Sequence, residues 1–499
     1  MFEGMKRHCM PDNVSVQRSE SSTLFPLPWT VALIEGFSTL AVEVIAIRLA
    51  IPVVGSSITL TGVMLGVVLL ALSAGYWRGG ALSARWDKER TRRALTRNLL
   101  IAAVMYGALA FPLEAATIEK ALDLGLNLPL AIGAAAALLF LLPIYLASQT
   151  VPMLAELTNI EGKAGKASGQ VLFFSTVGSV AGGVVTPVYL FPWLGVSHST
   201  FVVCGLLAGG ACALAIGHPR AVRAVGLAGI ALIAVVGANA VAARGRQGFF
   251  FDSAYQSIHI VRDETDNGRI ERTLIMSGSR SSGVYADTGE TSFDYVKAAD
   301  KALEDSRATT VLVIGSAGFT FPRDAAALPW VERIDAVDVD PAVKNIAEIQ
   351  FLRRPLPTKV RFLPLSARYA VRKLKRDGKR YGFTFVDAYF GRGIPEELVT
   401  VEFFRDTLAV SDRVTVNVVM DRAMNSAFAH NVLASFHDAC GAVWVKDVKP
   451  GDSDLTNFLV SDWPISGATR WDGAGEPYRD DRSTADGDHL RMVWSFGRG

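Results

Sequence analysis

Three places in the second half of this 499-residue chain could carry chemistry together. The apolar run Val311-Leu312-Val313-Ile314 stops at Gly315-Ser316-Ala317-Gly318, a second run ends in Val337-Asp338-Val339-Asp340-Pro341, and Phe383-Thr384-Phe385-Val386 ends in Asp387. Strand, glycine-bearing turn, helix, strand and acid is the order of a nucleotide-binding βαβ unit. In such a unit Gly315, Ser316 and Gly318 let the backbone approach a ligand, and Asp338 accepts the ribose hydroxyls. A tight turn with no ligand has the same pattern, but an acid at the tip of the second strand favours a nucleoside. Asp387 sits at a later strand tip beside the same pocket, where reacting groups belong; a loop or helix cap is its plain alternative. The turn lacks GxGxxG, which makes a nucleotide-dependent oxidoreductase the weakest enzyme reading.

The elements that must hold these residues follow from periodicity. Ala254 to Val261 alternates as a strand, and the turn Asp266-Asn267-Gly268 joins it to a second strand, Arg272 to Met276, in a hairpin. A helix around Ser292 to Leu303 precedes the βαβ unit. Strands at Val360-Arg361-Phe362, Phe383 to Val386, Val414 to Met420 and Ala442 to Val445 then alternate with helices. That alternation predicts a doubly wound, largely parallel Rossmann-like sheet with its ligand at the strand C-termini. The run Arg372-Lys373-Leu374-Lys375-Arg376 reads as a solvated helix face, with a membrane headgroup contact as the lesser alternative.

The first half is different. The chain is 50% hydrophobic with mean hydropathy +0.29, and nearly all of that excess precedes residue 245. A polar segment over 1–27 is followed by about seven apolar runs, near 29–50, 57–78, 98–117, 129–149, 169–191, 198–217 and 222–243. Each approaches the ~20 residues that cross a bilayer as helix. Pro52, Pro112, Pro129, Pro143 and Pro192 mark ends or kinks, and Gly178, Gly182 and Gly183 permit close helix contact. The expected organisation is a transmembrane helical domain over 28–245 and an α/β domain over 249–499. Within the first span, Glu35, Glu43 and Arg48 imply either a polar site in the bundle or an internal Glu–Arg pair.

Net charge is only +2, and no nucleic-acid partner is expected. Cys9, Cys204, Cys212 and Cys440 lack CxxC spacing and histidine is sparse, so no structural metal is expected. Arg78, Arg85, Lys88, Arg90, Arg92, Arg93 and Arg97 crowd the link after the second span. The positive-inside rule puts that link in the cytoplasm, and seven crossings then leave the α/β half outside.

From Tyr255 to Phe404 the chain resembles the spermidine synthase family, in particular its bacterial membrane-fused relatives. The match is carried by Tyr255-Gln256, the turn from Gly315 to Phe319, Asp338, Asp387, and the segment Ile394-Pro395-Glu396-Glu397-Leu398-Val399-Thr400-Val401-Glu402-Phe403-Phe404. The resemblance implies an S-adenosylmethionine-dependent methyltransferase-like fold with an N-terminal β-hairpin, and decarboxylated S-adenosylmethionine as aminopropyl donor. It gives Asp387 and Tyr255 catalytic roles, and places Gln256, Gly315, Ser316, Gly318, Asp338, Ser366 and Ala367 on the nucleoside. Glu290 and Tyr389 fall to the acceptor. The sequence departs from the family where acids hold a diamine: Gly318 and Phe390 stand in place of aspartates, and the Tyr-His-Glu helix motif becomes Phe293-Asp294-Tyr295.

Two functions remain open on the sequence. One is a membrane-bound enzyme acting on S-adenosylmethionine or its decarboxylated form, releasing methylthioadenosine by transfer to an unspecified acceptor or by intramolecular cleavage. The other is a transporter or channel whose α/β half is a non-catalytic nucleoside sensor. The expected setting is a bacterial inner membrane, with the lipid bilayer and a small nucleoside as partners. The cofactor's chemistry argues for a cytoplasmic α/β half, and a homodimer is an open option.

Overall fold

The computed structural model describes residues 27–55, 57–111, 113–159, 164–216, 219–244, 248–265, 268–448 and 454–496. The polar N-terminal segment, Pro112, and turn positions Asp266 and Asn267 lie outside the described residues.

Among the described residues, four helices are long and apolar enough to cross a bilayer: Leu27–Val54, Ile58–Ser83, Leu128–Thr158 and Ala164–Ala215. The starts are set locally. Ser57 accepts from Leu60 N at 3.0 Å, Asp87 from Arg90 N at 2.6 Å, and Asn127 from Leu130 N at 3.1 Å. Seven separate spans are expected from the sequence, and these four helices hold five of the seven runs. The runs at 169–191 and 198–217 both lie in the 52-residue stretch Ala164–Ala215, which is kinked between them at Gly195, whose φ of 74° and ψ of 171° are not helical. The run at 98–117 divides between Lys88–Ala110 and Leu113–Asp123, which meet at 73° and count as a fifth span only if taken as one bent pair. The run at 222–243 lies in the helix Pro219–Arg244, whose apolar stretch, Val225–Val241, is shorter than a span.

The small residues act as expected. A Cβ on Gly178 would stand 2.0 Å from the Leu33 carbonyl oxygen, and one on Gly182 would stand 2.1 Å from that of Phe37, so the first helix and Ala164–Val185 meet backbone to backbone. The basic link lies at the end of the helical half remote from the α/β half. Arg92 donates to the carbonyls of Leu214 at 2.6 Å and Ile216 at 3.2 Å, whereas Val196, at the other end of the same helix, donates to Asp252 at 3.1 Å. Those two ends are roughly 30 Å apart at 1.5 Å per residue.

The α/β half opens with a sheet of β1 (Phe249–Asp252), β2 (Ser257–Glu264), β3 (Ile270–Met276) and β4 (Ser279–Tyr285), all antiparallel neighbours. The expected hairpin is β2–β3, and it is widened on both edges. β4 escaped notice because Ser-Arg-Ser-Ser-Gly is poor in strand formers. Ser277 and Gly278, with φ of 46° and 78°, form the tight turn that returns β4 onto β3.

The second sheet holds β5 (Thr310–Ile314), β6 (Arg333–Asp338), β7 (Val360–Pro364), β8 (Phe383–Val386), β9 (Val414–Asp421), β10 (Val443–Asp447), β11 (Leu455–Ser461) and β12 (Thr469–Trp471). Its order is β12-β10-β11-β9-β8-β5-β6-β7. The five strands from β9 to β7 are parallel, as the alternation predicts, but β11 is antiparallel to both neighbours and β12 to β10, so the sheet is mixed. From β5 the chain moves outward through β6 and β7, then returns to β8 on the other side of β5. That reversal leaves a crevice at the carboxyl ends of β5 and β8, the place where open α/β sheets bind ligands. The basic run Arg372 to Arg376 ends a helix, Ala367–Arg376, and pairs with acids such as Asp377 and Asp406 at 2.8 and 2.6 Å.

Candidate functional site

At the end of β5, Gly315 N donates to Val337 O at 2.9 Å and Asp387 N donates to Ile314 O at 2.7 Å, which ties the tips of β6 and β8 to β5. Gly315 has φ 87°, and a Cβ there would stand 2.1 Å from the Asp387 carbonyl oxygen. Only glycine lets the turn and Asp387 come so close. A cavity of about 1020 Å³ opens at this point. Tyr255, Gln256, Gly315, Asp338, Ser366, Ala367, Asp387 and Tyr389 all line it, so eight predicted site residues from five separate segments converge.

Asp387 is the centre of the polar wall. Its Oδ1 accepts from Asn417 Nδ2 at 2.9 Å, and the Tyr295 hydroxyl, which donates to Ser281 O at 3.4 Å, lies near enough to favour the charged form. Burial pushes its pKa up to about 6, against the lowering effect of those two donors. Asp387 is thus a carboxylate at neutral pH with raised basicity, matched to proton work. Asn417, in β9, is a residue the sequence reading missed, because a lone polar residue in a strand carries no motif. Tyr295 stood in the motif that departs from the family; its hydroxyl recovers a contact to the reacting centre.

Asp338 accepts at Oδ2 from Ser316 N at 3.1 Å and Ala317 N at 3.3 Å, and at Oδ1 from Asp340 N at 3.0 Å. Burial raises its pKa while these three amides oppose the rise. The acid therefore also holds the glycine turn in shape. Gln256 is buried and reaches Asp340 Oδ2 at 3.4 Å, and the same oxygen accepts from Ser253 Oγ at 2.6 Å. Tyr255 is 40% exposed.

Three predicted residues do not line the cavity. Ser316 is buried, with its hydroxyl on Val337 O at 3.2 Å. Gly318 donates to Ser282 Oγ at 3.1 Å, and the space above its Cα is filled by Phe351 and Ser282, so the missing acid of that turn leaves no vacancy. Glu290 lies on the exposed turn before Thr291, near Thr288 Oγ1 at 3.3 Å. The acid on that side of the cavity is instead Glu271 of β3, which is buried and accepts from Arg280 at 2.8 Å and Ser292 at 2.5 Å. Tyr389 presents its ring, because its hydroxyl is taken up by Val419 N at 2.8 Å and Asn417 O at 3.3 Å. Phe390, in place of the second acid of the family's pair, packs against the apolar core of the helical half.

No family model matches the chain. A polyamine aminopropyltransferase from Vibrio vulnificus is 35% identical over 97 residues, 19% of this chain and 32% of that protein. Over that stretch the chain is similar to a spermidine synthase-like family of aminopropyltransferases. The aligned stretch spans about a third of that relative's length. Among solved structures, a probable spermidine synthase from Corynebacterium glutamicum is 17% identical, with TM-score 0.36, over 50% of this chain and 88% of its own. The spermidine synthase of Thermotoga maritima is 15% identical, with TM-score 0.34, over 49% and 82%.

Proposed function

We propose that this protein is a membrane-bound, spermidine synthase-like enzyme that takes S-adenosylmethionine or its decarboxylated form and releases methylthioadenosine. The observation that carries the reading is Asp387, held by Asn417 and Tyr295 at the β5–β8 crevice of a cavity wide enough for a nucleoside. Asp338, Gln256, Ser366 and Ala367 lie where a ribose and adenine would rest. The sulfonium is already an activated leaving group, so the protein's task is alignment and proton removal. An amine of the acceptor, or of the bound chain itself, attacks the carbon next to sulfur. The C–N bond forms, the C–S bond breaks with its electron pair going to sulfur, and the amine proton passes to Asp387.

A diamine dication is poorly matched to this cavity. Phe390 has turned into an apolar contact, the place of the turn acid is filled, and Glu271 is already engaged by Arg280. Purified protein in detergent should therefore release methylthioadenosine from one of the two donors without putrescine. Asp387→Asn should slow release by roughly 10²-fold. Strict putrescine dependence with spermidine as product would restore the ordinary synthase reaction.

A second reading, a transporter or channel with a nucleoside sensor, is favoured by one observation: the basic link and the α/β half sit at opposite ends of the helical half. The positive-inside rule then places the α/β half outside, whereas the enzyme reading requires it in the cytoplasm. A reporter fused after Gly499 should be active only as a cytoplasmic reporter. Activity of a periplasm-only reporter there, with no turnover of either donor, would move the assignment to the second reading.

A further inference from the structure

The last turns of the first helix, Leu27–Val54, carry three of the loops that line the cavity. Arg48 is buried in this helix, and instead of meeting an internal acid it donates to the backbone carbonyls of Ser253, at 3.1 Å, and Tyr255. Its guanidinium lies 5.8 Å from the Phe191 ring centroid, which walls it from the other side. Ser253 in turn donates to Asp340, and its hydroxyl accepts from the amides of Tyr255 and Gln256 at 3.0 and 2.9 Å. Two further cavity-lining loops rest on the same helix end. A Cβ on Gly278 would stand 3.0 Å from Pro52 Cβ, and one on Gly391 would stand 3.0 Å from Ile51 O. Arg392, beside Gly391, faces Glu119 of the helical half at 3.8 Å.

We infer that the end of the first helix supports the loops that floor the nucleoside cavity, and that Arg48 is a positioning residue for Tyr255 and Gln256. A guanidinium suits the task, because its rigid planar fork holds two separate donors on the two carbonyls, whereas an ammonium is one compact point of charge on a flexible stem. The buried carbonyl of Ser253 needs such a donor, since the loop makes no ladder with a neighbouring strand there, and the Tyr255 carbonyl takes the second one. The α/β half of this chain therefore does not present a finished pocket by itself; a residue of the apolar half completes it.

The inference rests on the nucleoside-binding part of the proposed function, and the test separates the two. Calorimetry with methylthioadenosine is run on the full chain in detergent for the parent, Arg48→Lys and Arg48→Met, together with backbone hydrogen exchange over 253–256 without nucleoside. Arg48→Met should weaken binding by roughly tenfold or more, and Arg48→Lys, which can serve one carbonyl, by an intermediate factor. Exchange over 253–256 should rise in the same order. The acid limb of the activity–pH profile should stay in place, because Asp387 is held by Asn417 and Tyr295 rather than by this loop. If Arg48→Met does not insert, the lysine variant decides. Parental affinity and parental exchange in Arg48→Lys would overturn the inference. A parent that binds no methylthioadenosine would instead overturn the proposed function, and exchange over 253–256 would still judge Arg48.

Discussion

The two halves of this chain treat a buried carboxylate in different ways. In the α/β half every such acid that shapes the site is matched. Asp335 takes two bonds of 2.8 Å from Arg361 and one from Tyr381, Asp340 is served by Ser253, Asp338 by three amides, and Asp387 by Asn417 and Tyr295. In the helical half Glu35 has only hydroxyl donors, Ser175 at 2.9 Å and Thr39 at 3.2 Å, and Glu114 is fully buried with neither oxygen partnered among the described residues. Matched acids fix geometry, as a reaction centre requires. Acids held by hydroxyls, or by nothing, are costly to leave charged and suit a proton carrier or a polar path through the bundle. The chain thus joins a rigid site to a half whose acids are poorly compensated.

The strongest way to break the comparison is to loosen the rigid half at its tightest point. Gly315→Ala adds a methyl group in a left-handed backbone conformation, 2.1 Å from Asp387 O. The expected loss is about 3 kcal/mol or more of stability, with nucleoside binding abolished. Calorimetric unfolding together with methylthioadenosine titration would check this, and parental binding in that variant would show that the turn is not rigid. The helical half should respond in the opposite direction. Glu114→Leu removes an unpartnered buried carboxylate and should raise stability by about 1–3 kcal/mol, read as a higher thermal midpoint in detergent. A lower midpoint would mean that Glu114 has a partner in the working protein and would erase the contrast.

How far the sequence shows these things depends on whether a residue acts locally or across the fold. Gly315, Asp338 and Asp387 were legible because each ends an apolar run, so one segment states both the strand and its tip. The long apolar runs before residue 245 announced helices equally plainly, but not the kink that Gly195 puts between two of them. Asn417, Glu271 and Arg48 were obscure for one shared reason: each is a polar residue within a regular element, and its meaning comes from a partner 30, 21 and 205 positions away. Glu290 misled because proximity in the chain stood in for proximity in space. β11 and β12 were missed because their antiparallel return breaks the alternation that revealed the parallel strands.

A smaller effect tests the seam between the halves. His489 packs edge-on to Phe428 at 4.8 Å, borders a small cavity with Val54 and Gly55, and has no partner for Nε2 among the described residues. Burial pushes its pKa down to about 4. The unfolded chain takes up this proton near pH 6.5 while the folded chain stays neutral, so the folded state is at its full stability above pH 6.5 and loses it as pH falls towards 4. At pH 5.5 this single group should remove about 1.4 kcal/mol. Asp387 and Asp486, raised to about 6 and about 7 by burial, act with the opposite sign over an overlapping range, so the parent's total pH dependence does not isolate the histidine. The difference between parent and His489→Leu does. The variant should lose less stability between pH 7.5 and 5.5, and identical losses would show that the seam admits a charged imidazole.

The finest test returns to the matched acid itself. In the proposed reaction Asp387 is a base only when deprotonated, so activity should rise with pH through about 6 and level off above pH 7. Asn417 donates to the charged form and lowers that pKa, and its removal must shift the acid limb upward. Asn417→Ala should therefore be several-fold less active than the parent at pH 6, and close to it at pH 8. A merely structural asparagine would give a loss independent of pH, because a displaced β9 misaligns the carboxylate in either protonation state. If the loss is the same at both values, the hydrogen bond from Asn417 does not tune Asp387. The difference in how the two halves hold their acids would then be a matter of packing rather than of chemistry.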